Sequence, residues 1–423
     1  MRANAFQALK SPNFALYLAT LFLATTAQQI QAVALGWQIY ALTHNPFHLG
    51  LVGLCEFLPA ASLALITGPL ADRFERRRLV LIGLAGEVVA AVVLTALTLA
   101  GGISVGAILT MAAIFGAGRA LVAPAVRALM ADILPAKHYA NGVAWNSTAW
   151  QIATIGGPAL GGLLYALAPA VPFAATGLGL AGAFTAAAWL TVAARADPPE
   201  HIDLMNAVAG LVLILRHRLL LGLISLDLFA VLFSGAVALL PVFARDVLEV
   251  GPAGLGFLRS APGIGAVVTA LALTRWPLAR HAGQRLLTAV GIFGIAAITF
   301  GLSRDARLSF AALMVLGAAD MVSVYVRGTL VPLATPNSLR GRVLAVEAVF
   351  IGGSNELGAF VAGSAAALLG PVVAVLAGGS LTLCVTFVWR RLFPGLAAVD
   401  RMEDVAHFRP EAARDRITAA TGE

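Results

Sequence analysis

The chain has 423 residues, of which 60% are hydrophobic and only 12% are charged. Soluble domains are about a quarter charged, so this composition excludes a water-soluble globular enzyme. The apolar residues form continuous runs and do not alternate with polar ones, which also argues against an outer-membrane β-barrel. One membrane-spanning helix needs roughly 20 apolar residues, and the composition therefore suffices for about twelve spans.

Twelve apolar segments follow one another, separated by turn-forming residues such as Gly101-Gly102 and Gly370-Pro371. They predict an all-α polytopic membrane protein with twelve transmembrane helices in two pseudo-symmetric six-helix bundles. We number the predicted spans 1 to 12 in chain order, over residues 13–42, 48–71, 78–100, 105–131, 140–167, 171–194, 217–244, 252–275, 284–302, 307–334, 341–368 and 370–392.

The only long polar interval between spans lies at the middle of the chain and divides the spans into two groups of six. The predicted organisation is an N-terminal bundle over 1–194, a cytoplasmic linker over 195–216 with a short surface helix, a C-terminal bundle over 217–393 and a cytoplasmic tail over 394–423.

The distribution of Lys and Arg predicts the orientation in the membrane. Of the 28 basic residues, only Arg245, Arg304 and Arg307 fall in loops on one side of the alternating spans, whereas most of the others lie on the opposite side or in the tail. Cytoplasmic loops carry the excess of Lys and Arg, so both termini are expected in the cytoplasm. This asymmetry accounts for the net charge of +7 without a nucleic-acid partner.

Three pairs of short segments recur in corresponding spans of the two halves. The stretch PLADRFERRR begins at Pro69 and PLARHAGQRL at Pro277, Arg119 in RALVAP corresponds to Arg327 in RGTLVP, and IGGPALGG in span 5 parallels IGGSNELG in span 11. An internal repeat of six spans is typical of transporters that rock about a central site.

The loop after span 2 reads GPLADRFERRR and resembles the signature G-x-L-x-D-R-x-G-R-R/K of the major facilitator superfamily, with Glu75 in place of the second glycine. The stretches over 119–147 and 326–358 resemble the enterobactin-exporter-like branch of that superfamily, which contains siderophore and drug exporters. The resemblance implies the major facilitator fold and efflux of a small organic molecule.

The resemblance also implies a gating role for this loop. Asp72 would cap the start of span 11 when the cytoplasmic side is closed, because an aspartate is favoured at a helix N-terminus. The alternative is ordinary positive-inside charge, which explains the arginines but not the aspartate. The gating residues implied by the motif are Gly68, Asp72, Arg73, Arg76 and Arg77.

Several charged residues lie within the predicted spans, where an isolated charge costs a few kcal/mol or more. A proton-driven exporter needs carboxylates that bind and release protons, and the candidates in order are Glu356, Asp320 and Asp227. Arg119 is the expected counter-charge. The alternatives are that these groups only bridge helices, and that sodium replaces the proton.

Amide and indole side chains in the spans suit a cavity for an aromatic or amphipathic solute, although hydrogen bonding between helices is an equal explanation. The cavity candidates are Gln28, Gln31, Asn146, Trp150, Gln151 and Asn355. A second motif in span 5 resembles the glycine-proline motif of exporters and predicts either a bend or close helix packing against span 8 or 10. Its residues are Gly156, Gly157, Pro158, Gly161 and Gly162.

The leading hypothesis is a secondary active exporter in the bacterial cytoplasmic membrane, which works by alternating access and exchanges protons for a siderophore-like or drug-like solute. The alternatives are a metabolite importer or facilitator of the same fold and, remotely, a membrane-embedded lipid-processing enzyme. No HExxH, GxSxG or ATP-binding motif occurs. We therefore expect no cofactor, no metal, no nucleic-acid partner and a monomer in the lipid bilayer.

Overall fold

A computed structural model describes residues 6–73, 75–191 and 204–403. All regular structure in these ranges is helical. In chain order the α-helices are α1 (Pro12–Thr43), α2 (Pro46–Arg73), α3 (Arg76–Leu99), α4 (Val105–Ile133), α5 (Ala136–Leu167), α6 (Val171–Ala188), α7 (Leu204–Arg216), α8 (Arg218–Ser234), α9 (Leu240–Val242), α10 (Gly251–Arg275), α11 (Ala282–Leu302), α12 (Ala306–Ala334), α13 (Arg340–Leu369), α14 (Pro371–Leu392) and α15 (Pro394–Ala397).

Ten helices in the described ranges are long and apolar enough to cross a membrane, namely α1 to α4, α6 and α10 to α14. Helices α5 and α8 occupy the positions of predicted spans 5 and 7. The all-α polytopic fold predicted from the composition is therefore confirmed.

The helix starts follow from local sequence. Ser11 accepts a hydrogen bond from the Phe14 backbone N–H at the start of α1, with Pro12 at the first helical position. Asp305 accepts from two backbone N–H groups, those of Arg307 and Leu308, at the start of α12. These caps satisfy N–H groups that have no partner within the helix.

The chain divides into two compact units. The first comprises Met1–Ile202 and Val237–Ser260, and the second comprises Asp203–Ala236 and Ala261–Glu423. The predicted bundle boundaries remain a prediction, although the contacts group 237–260 with the first unit. Of the predicted linker and tail, residues 195–203 and 404–423 lie outside the described ranges.

The same helix pairings recur in both units. In the first unit α1 packs against α5 and α6, and α3 packs against α4 and α6. In the second unit α8 packs against α13 and α14, and α11 packs against α12 and α14. These are the pairings that the internal repeat predicts, because α8 and α11 to α14 correspond to α1 and α3 to α6.

Predicted span 7 is not one continuous helix, and its prediction over 217–244 was wrong. Helix α8 ends at Ser234 because Gly235 has a left-handed backbone with a φ of 52°, and a short helix and a π-helical turn over Phe243–Val247 follow. A Cβ on residue 235 would lie 2.3 Å from the Cβ of Ala362 in α13. The close approach of α13 and the left-handed φ both favour glycine at this turn.

Candidate transport site

A cluster of buried charges lies in the second unit, where α8, α12 and α13 meet. The Nη2 atom of Arg327 lies 2.8 Å from Oδ1 of Asp227, and its Nη1 atom lies 3.5 Å from Oε1 of Glu347. Arg327, Asp227 and Glu347 are 4%, 5% and 8% exposed. One guanidinium therefore joins carboxylates from two neighbouring helices, which is how buried charges are ordinarily stabilised.

The surroundings of this cluster are apolar. Leu226, Val326, Leu330 and Val343 belong to the same buried hydrophobic core. In an apolar core the ion pairs contribute much of the stabilisation of these charges. The Nε atom of Arg327 is buried and has no hydrogen-bond partner among the described residues.

Asp320 belongs to the same region of the second unit. It lies on α12 seven residues before Arg327 and, together with Asp227, lines a small cavity whose other walls include Ala230 and Ser323. The cavity has room for about one water molecule. Two of the three predicted proton-coupling carboxylates thus lie side by side, while the third, Glu356, is half-buried further along α13.

The sequence reasoning missed Arg327 and Glu347 as site residues. The signal for Arg327 was its correspondence to Arg119 in the internal repeat. Glu347 has no acidic counterpart in that repeat, and its signal was its position as the seventh residue of predicted span 11, where a charge is expensive.

Arg119 itself pairs with a different carboxylate. Its Nη1 atom lies 2.9 Å from Oε2 of Glu56 in the first unit, and its side chain is 48% exposed. Arg259 also acts electrostatically on Glu56. The two arginines related by the repeat therefore have different environments.

The predicted cavity amides have separate partners in the first unit. Gln28 donates through Nε2 to both carboxylate oxygens of the fully buried Glu87, at 3.1 and 3.0 Å. Asn146 accepts from the Tyr17 hydroxyl at 2.7 Å. Gln31 is 3% exposed, and neither of its amide atoms has a hydrogen-bond partner among the described residues.

The other predicted cavity residues are less buried. Trp150 is 48% exposed and Gln151 is half-buried on α5. In the second unit, Asn355 is exposed and donates to the Ile351 carbonyl of its own helix at 2.8 Å. The described contacts do not join the six predicted residues into one hydrogen-bonded group.

The signature loop is described only in part. The structure does not describe the side chains of Asp72 and Arg73 or the surroundings of Gly68. Arg76 pairs with Asp132 at 2.7 Å, and Arg77 donates to the backbone carbonyls of Ala187 and Ala188 at the end of α6. These contacts join α3 to α4 and to α6. The contact of Arg77 with α6 is favourable because a basic side chain interacts well with the dipole at a helix C-terminus.

The glycine motif of α5 lies at two close helix contacts. A Cβ on Gly157 would lie 2.5 Å from Cβ of Gln29, and one on Gly161 would lie 3.0 Å from the Ile30 backbone of α1. A Cβ on Gly162 would lie 2.4 Å from the Pro252 carbonyl oxygen of α10. A Cβ on Gly156, in contrast, would meet nothing within 4 Å. The motif therefore packs closely against both α1 and α10, and α10 corresponds to predicted span 8.

Pro158 takes part in the same contact. Its backbone carbonyl oxygen would lie 2.5 Å from a Cβ on Gly256 of α10. Ser260 of α10 also donates to the Ile155 carbonyl at 2.7 Å. This bond joins α10 to the backbone of α5 within one turn of Pro158.

The second copy of the signature loop has a carboxylate from elsewhere in the chain. Arg280 stands where the repeat would place an aspartate, and Asp400 binds both Arg280 and the adjacent residue. The Oδ1 atom of Asp400 accepts from the His281 backbone N–H at 2.8 Å, at the start of α11. This bond, followed by the contacts with Arg280, lowers the pKa of the Asp400 carboxyl.

No group of three or more His, Cys, Asp or Glu residues in the described ranges is arranged to hold a metal ion.

Comparison with known proteins identifies the family. The sequence profile of the transmembrane secretion effector family matches residues 3–422. The chain is 26% identical over 376 residues to the enterobactin exporter EntS of Shigella flexneri, covering 87% of this chain and 88% of that protein. It has the same identity and coverage against the enterobactin exporter EntS of Escherichia coli O139:H28.

Solved structures share the fold at low sequence identity. A bacterial homologue of the human lysosomal transporter Spinster has a TM-score of 0.72 at 15% identity, covering 92% of this chain and 98% of that one. A bacterial homologue of the iron transporter ferroportin has a TM-score of 0.68 at 14% identity, covering 91% and 98%. The alternative of a lipid-processing enzyme is dismissed, because the family and these relatives are transporters. The chain belongs to the transmembrane secretion effector family of the major facilitator superfamily and is a multi-pass membrane transporter of a small organic substrate.

Proposed function

We propose that this transporter exports a siderophore-like or drug-like organic molecule across the bacterial cytoplasmic membrane by proton antiport. The observation that carries the direction and the solute class is the similarity to enterobactin exporters over 87% of the chain. Both termini are proposed to be cytoplasmic, and the functional unit is proposed to be a monomer.

The buried cluster of the second unit supports coupling to an ion gradient. Asp227, Asp320 and Glu347 face a single guanidinium, that of Arg327, so carboxylates outnumber cations in an apolar core. A proton bound to one carboxylate reduces this excess of negative charge, and its release restores the excess. Such a group can therefore couple proton movement to a rearrangement of α8, α12 and α13.

Purified protein in proteoliposomes tests the proposal with iron-free enterobactin and the dye ethidium as probes. An acidic lumen should drive accumulation of at least one probe, and a protonophore should abolish it. Protein-free liposomes are the control. Equilibration without any dependence on the pH gradient would identify a facilitator instead. Accumulation driven equally by a sodium gradient at constant pH would overturn proton coupling.

The variant Asp320→Asn should abolish accumulation driven by the pH gradient. Exchange of labelled probe between the two sides, which needs no net proton movement, should continue. Glu87→Gln is a matched control, because it also replaces a buried carboxyl with an amide but does so in the first unit.

A further inference from the structure

We propose that the second unit binds an anionic phospholipid in a cavity between the start of α8 and the segment that follows α14. The phosphate of the lipid lies against the arginines at the cavity, and the acyl chains lie along the exposed apolar side chains beside it. This inference depends on neither the solute nor the coupling ion of the proposed function. It rests on the proposed orientation only for the choice of leaflet, which is the cytoplasmic one.

Two short stretches of the chain form the cavity. His217, Arg218 and Leu219 line it from the start of α8, and residues 392–396 line it from the other side. Its volume is about 280 Å³. Sites that enclose a whole drug-sized molecule occupy roughly 300–1,000 Å³, so this space suits a lipid headgroup whose acyl chains remain outside.

The wall that faces α8 is held in place by close contacts with two helices. A Cβ on Gly222 of α8 would lie 3.0 Å from the ring of Phe393. A Cβ on Gly283 of α11 would overlap the Leu396 carbonyl oxygen. The segment over 392–396 therefore packs on both α8 and α11, and the cavity is a preformed feature of the fold.

Five basic residues lie at the cavity or next to its lining residues in the chain. His217 and Arg218 line it, Arg216 precedes them, and Arg390 and Arg391 directly precede the lining residues of the other wall. The four arginines are exposed, and none of them forms an ion pair with a described residue. Basic pockets between helices at the cytoplasmic side of a membrane protein are typical sites for anionic headgroups.

Nearby acidic residues do not neutralise these arginines. The stretches over 214–220 and 387–399 contain no Asp or Glu. Asp400, which follows, is engaged by Arg280 and His281 at the start of α11. The positive-inside rule explains basic residues near the membrane surface, but it does not require a cavity between them. The cavity is therefore the observation that favours a bound anion.

The start of α8 adds a second attraction for a phosphate group. The first N–H groups of a helix have no acceptor within the helix and favour an anion. The Nδ1 atom of His217 accepts from the Leu220 N–H at 3.4 Å. This capping bond does not cover the N–H groups of Arg218 and Leu219, and both of these residues line the cavity.

The surroundings favour a lipid over a soluble phosphate. Leu215, Phe387 and Leu392 are 59%, 61% and 55% exposed. The guanidinium carbon of Arg391 lies 4.9 Å from the centroid of the Phe387 ring. Cationic and exposed apolar groups are therefore adjacent, and an anion that carries acyl chains can contact both of them.

Native mass spectrometry of the delipidated full-length chain in detergent tests the inference, with phosphatidylglycerol as the probe. Wild type should retain one molecule of this lipid per chain at a concentration at which phosphatidylcholine, which has no net charge, is not retained. A basic residue near an anionic lipid contributes about fivefold to affinity. Arg218→Gln should therefore weaken retention about fivefold, and the combination of Arg218→Gln with Arg391→Gln should weaken it about 30-fold. Arg275→Gln is the matched control, because this exposed arginine ends α10 and is not among the lining residues.

A pair of glycine variants tests the cavity without any change of charge. Gly395 lines the cavity, and a Cβ there would meet nothing within 4 Å. Gly395→Leu should fill this space and weaken retention at least as much as Arg218→Gln does. Gly341, at the start of α13, has equally open surroundings, so Gly341→Leu should retain the lipid as wild type does. All substituted residues are exposed, and the lipid-free variants should melt near the wild-type temperature.

Three outcomes would overturn the inference. The first is equal retention of phosphatidylcholine, or an equal loss in Arg275→Gln. The second is an equal rise in melting temperature with inorganic phosphate and with the lipid, which would identify a site for soluble anions. The third is unchanged retention in Gly395→Leu, which would leave only attraction to surface charge. The lipid test uses no transport assay, so a proteoliposome experiment in which neither probe moves would refute the proposed solute class without affecting this inference.

Discussion

Burial separates the two arginines that the internal repeat relates. Arg327 is 4% exposed and bridges carboxylates of two other helices, whereas the side chain of Arg119 is 48% exposed and pairs with Glu56. Both positions have the same residue type at the same distance from a proline. Their different surroundings come from which helices supply acidic neighbours, and this asymmetry is the reason that we propose the coupling site in the second unit.

The Gln28–Glu87 contact provides a test at the same scale. Replacing Gln28 with Ala removes both hydrogen bonds to a carboxyl that is fully buried. An acceptor left unsatisfied in the interior costs about 1–3 kcal/mol, so we expect a clearly lower melting temperature in detergent.

Asn355→Ala is the matched control, because that exposed amide bonds only to its own helix. Surface changes of this kind are usually within about 0.5 kcal/mol, so its melting temperature should stay near the wild-type value. An equal decrease in the melting temperature of the two variants would contradict the structural role assigned to Gln28.

At the scale of helices, glycines determine how closely α5 approaches its neighbours. A side chain at Gly162 would overlap the backbone of α10, and one at Gly161 would press on the backbone of α1. Small residues at these positions allow the helices to pack backbone against backbone, and such van der Waals packing contributes to helix association in lipid.

Gly162→Val should therefore destabilise the protein by about 1–3 kcal/mol or more, as overpacking does elsewhere. Gly156→Ala is the matched control in the same motif, because its Cβ would meet nothing within 4 Å. Alanine is a better helix former than glycine by up to about 1 kcal/mol, so this variant should be as stable as wild type or more stable. Thermal unfolding in detergent distinguishes the two, and a stable Gly162→Val protein would contradict the contact with α10.

The segment after the last span acts as a cap for α11. Besides the carboxylate contact, the Asp400 and Val399 carbonyls accept from the Ala282 and Gly283 backbone N–H groups, at 3.0 Å each. Three N–H groups at the start of α11 therefore receive partners from the C-terminal segment. In the first half of the chain the corresponding loop carries its own aspartate, Asp72.

Asp400→Asn should lower the melting temperature at neutral pH and less so in acid. The pKa of Asp400 is lowered in the folded protein, so its stabilising effect is present above the unfolded pKa of about 3.9 and is lost as the pH falls through the folded value. The difference between variant and wild type should narrow below about pH 4. Glu403→Gln, an exposed acidic residue nearby, should show no such difference at any pH.

At the scale of the whole molecule, the distribution of basic residues predicts the topology. A green fluorescent protein fused to the C-terminus should fluoresce, whereas alkaline phosphatase fused there should be inactive, because the first folds in the cytoplasm and the second requires the periplasm. Alkaline phosphatase fused after Arg304, between α11 and α12, should be active. The opposite pattern would reverse the predicted orientation.

Much of the fold follows from apolar segment length alone. Helix α12 spans Ala306–Ala334 against a prediction of 307–334, and α11 spans Ala282–Leu302 against 284–302. The break at Gly235 was missed because the run over 217–244 is continuously apolar, and hydropathy does not reveal a turn that depends on the approach of α13. The sequence motif also predicted glycine-mediated packing in α5 but did not decide its partner.

The sequence by itself determined the class of protein, the number and order of spans and the identity of the charges placed in the membrane, because these depend only on composition and local order along the chain. Tertiary structure alone decided that Asp227 and Glu347 share Arg327, that Arg119 pairs with Glu56, and that Asp400 caps α11. Partners such as Asp227 and Arg327 are 100 residues apart along the chain, and only the packing of helices determines which charges meet.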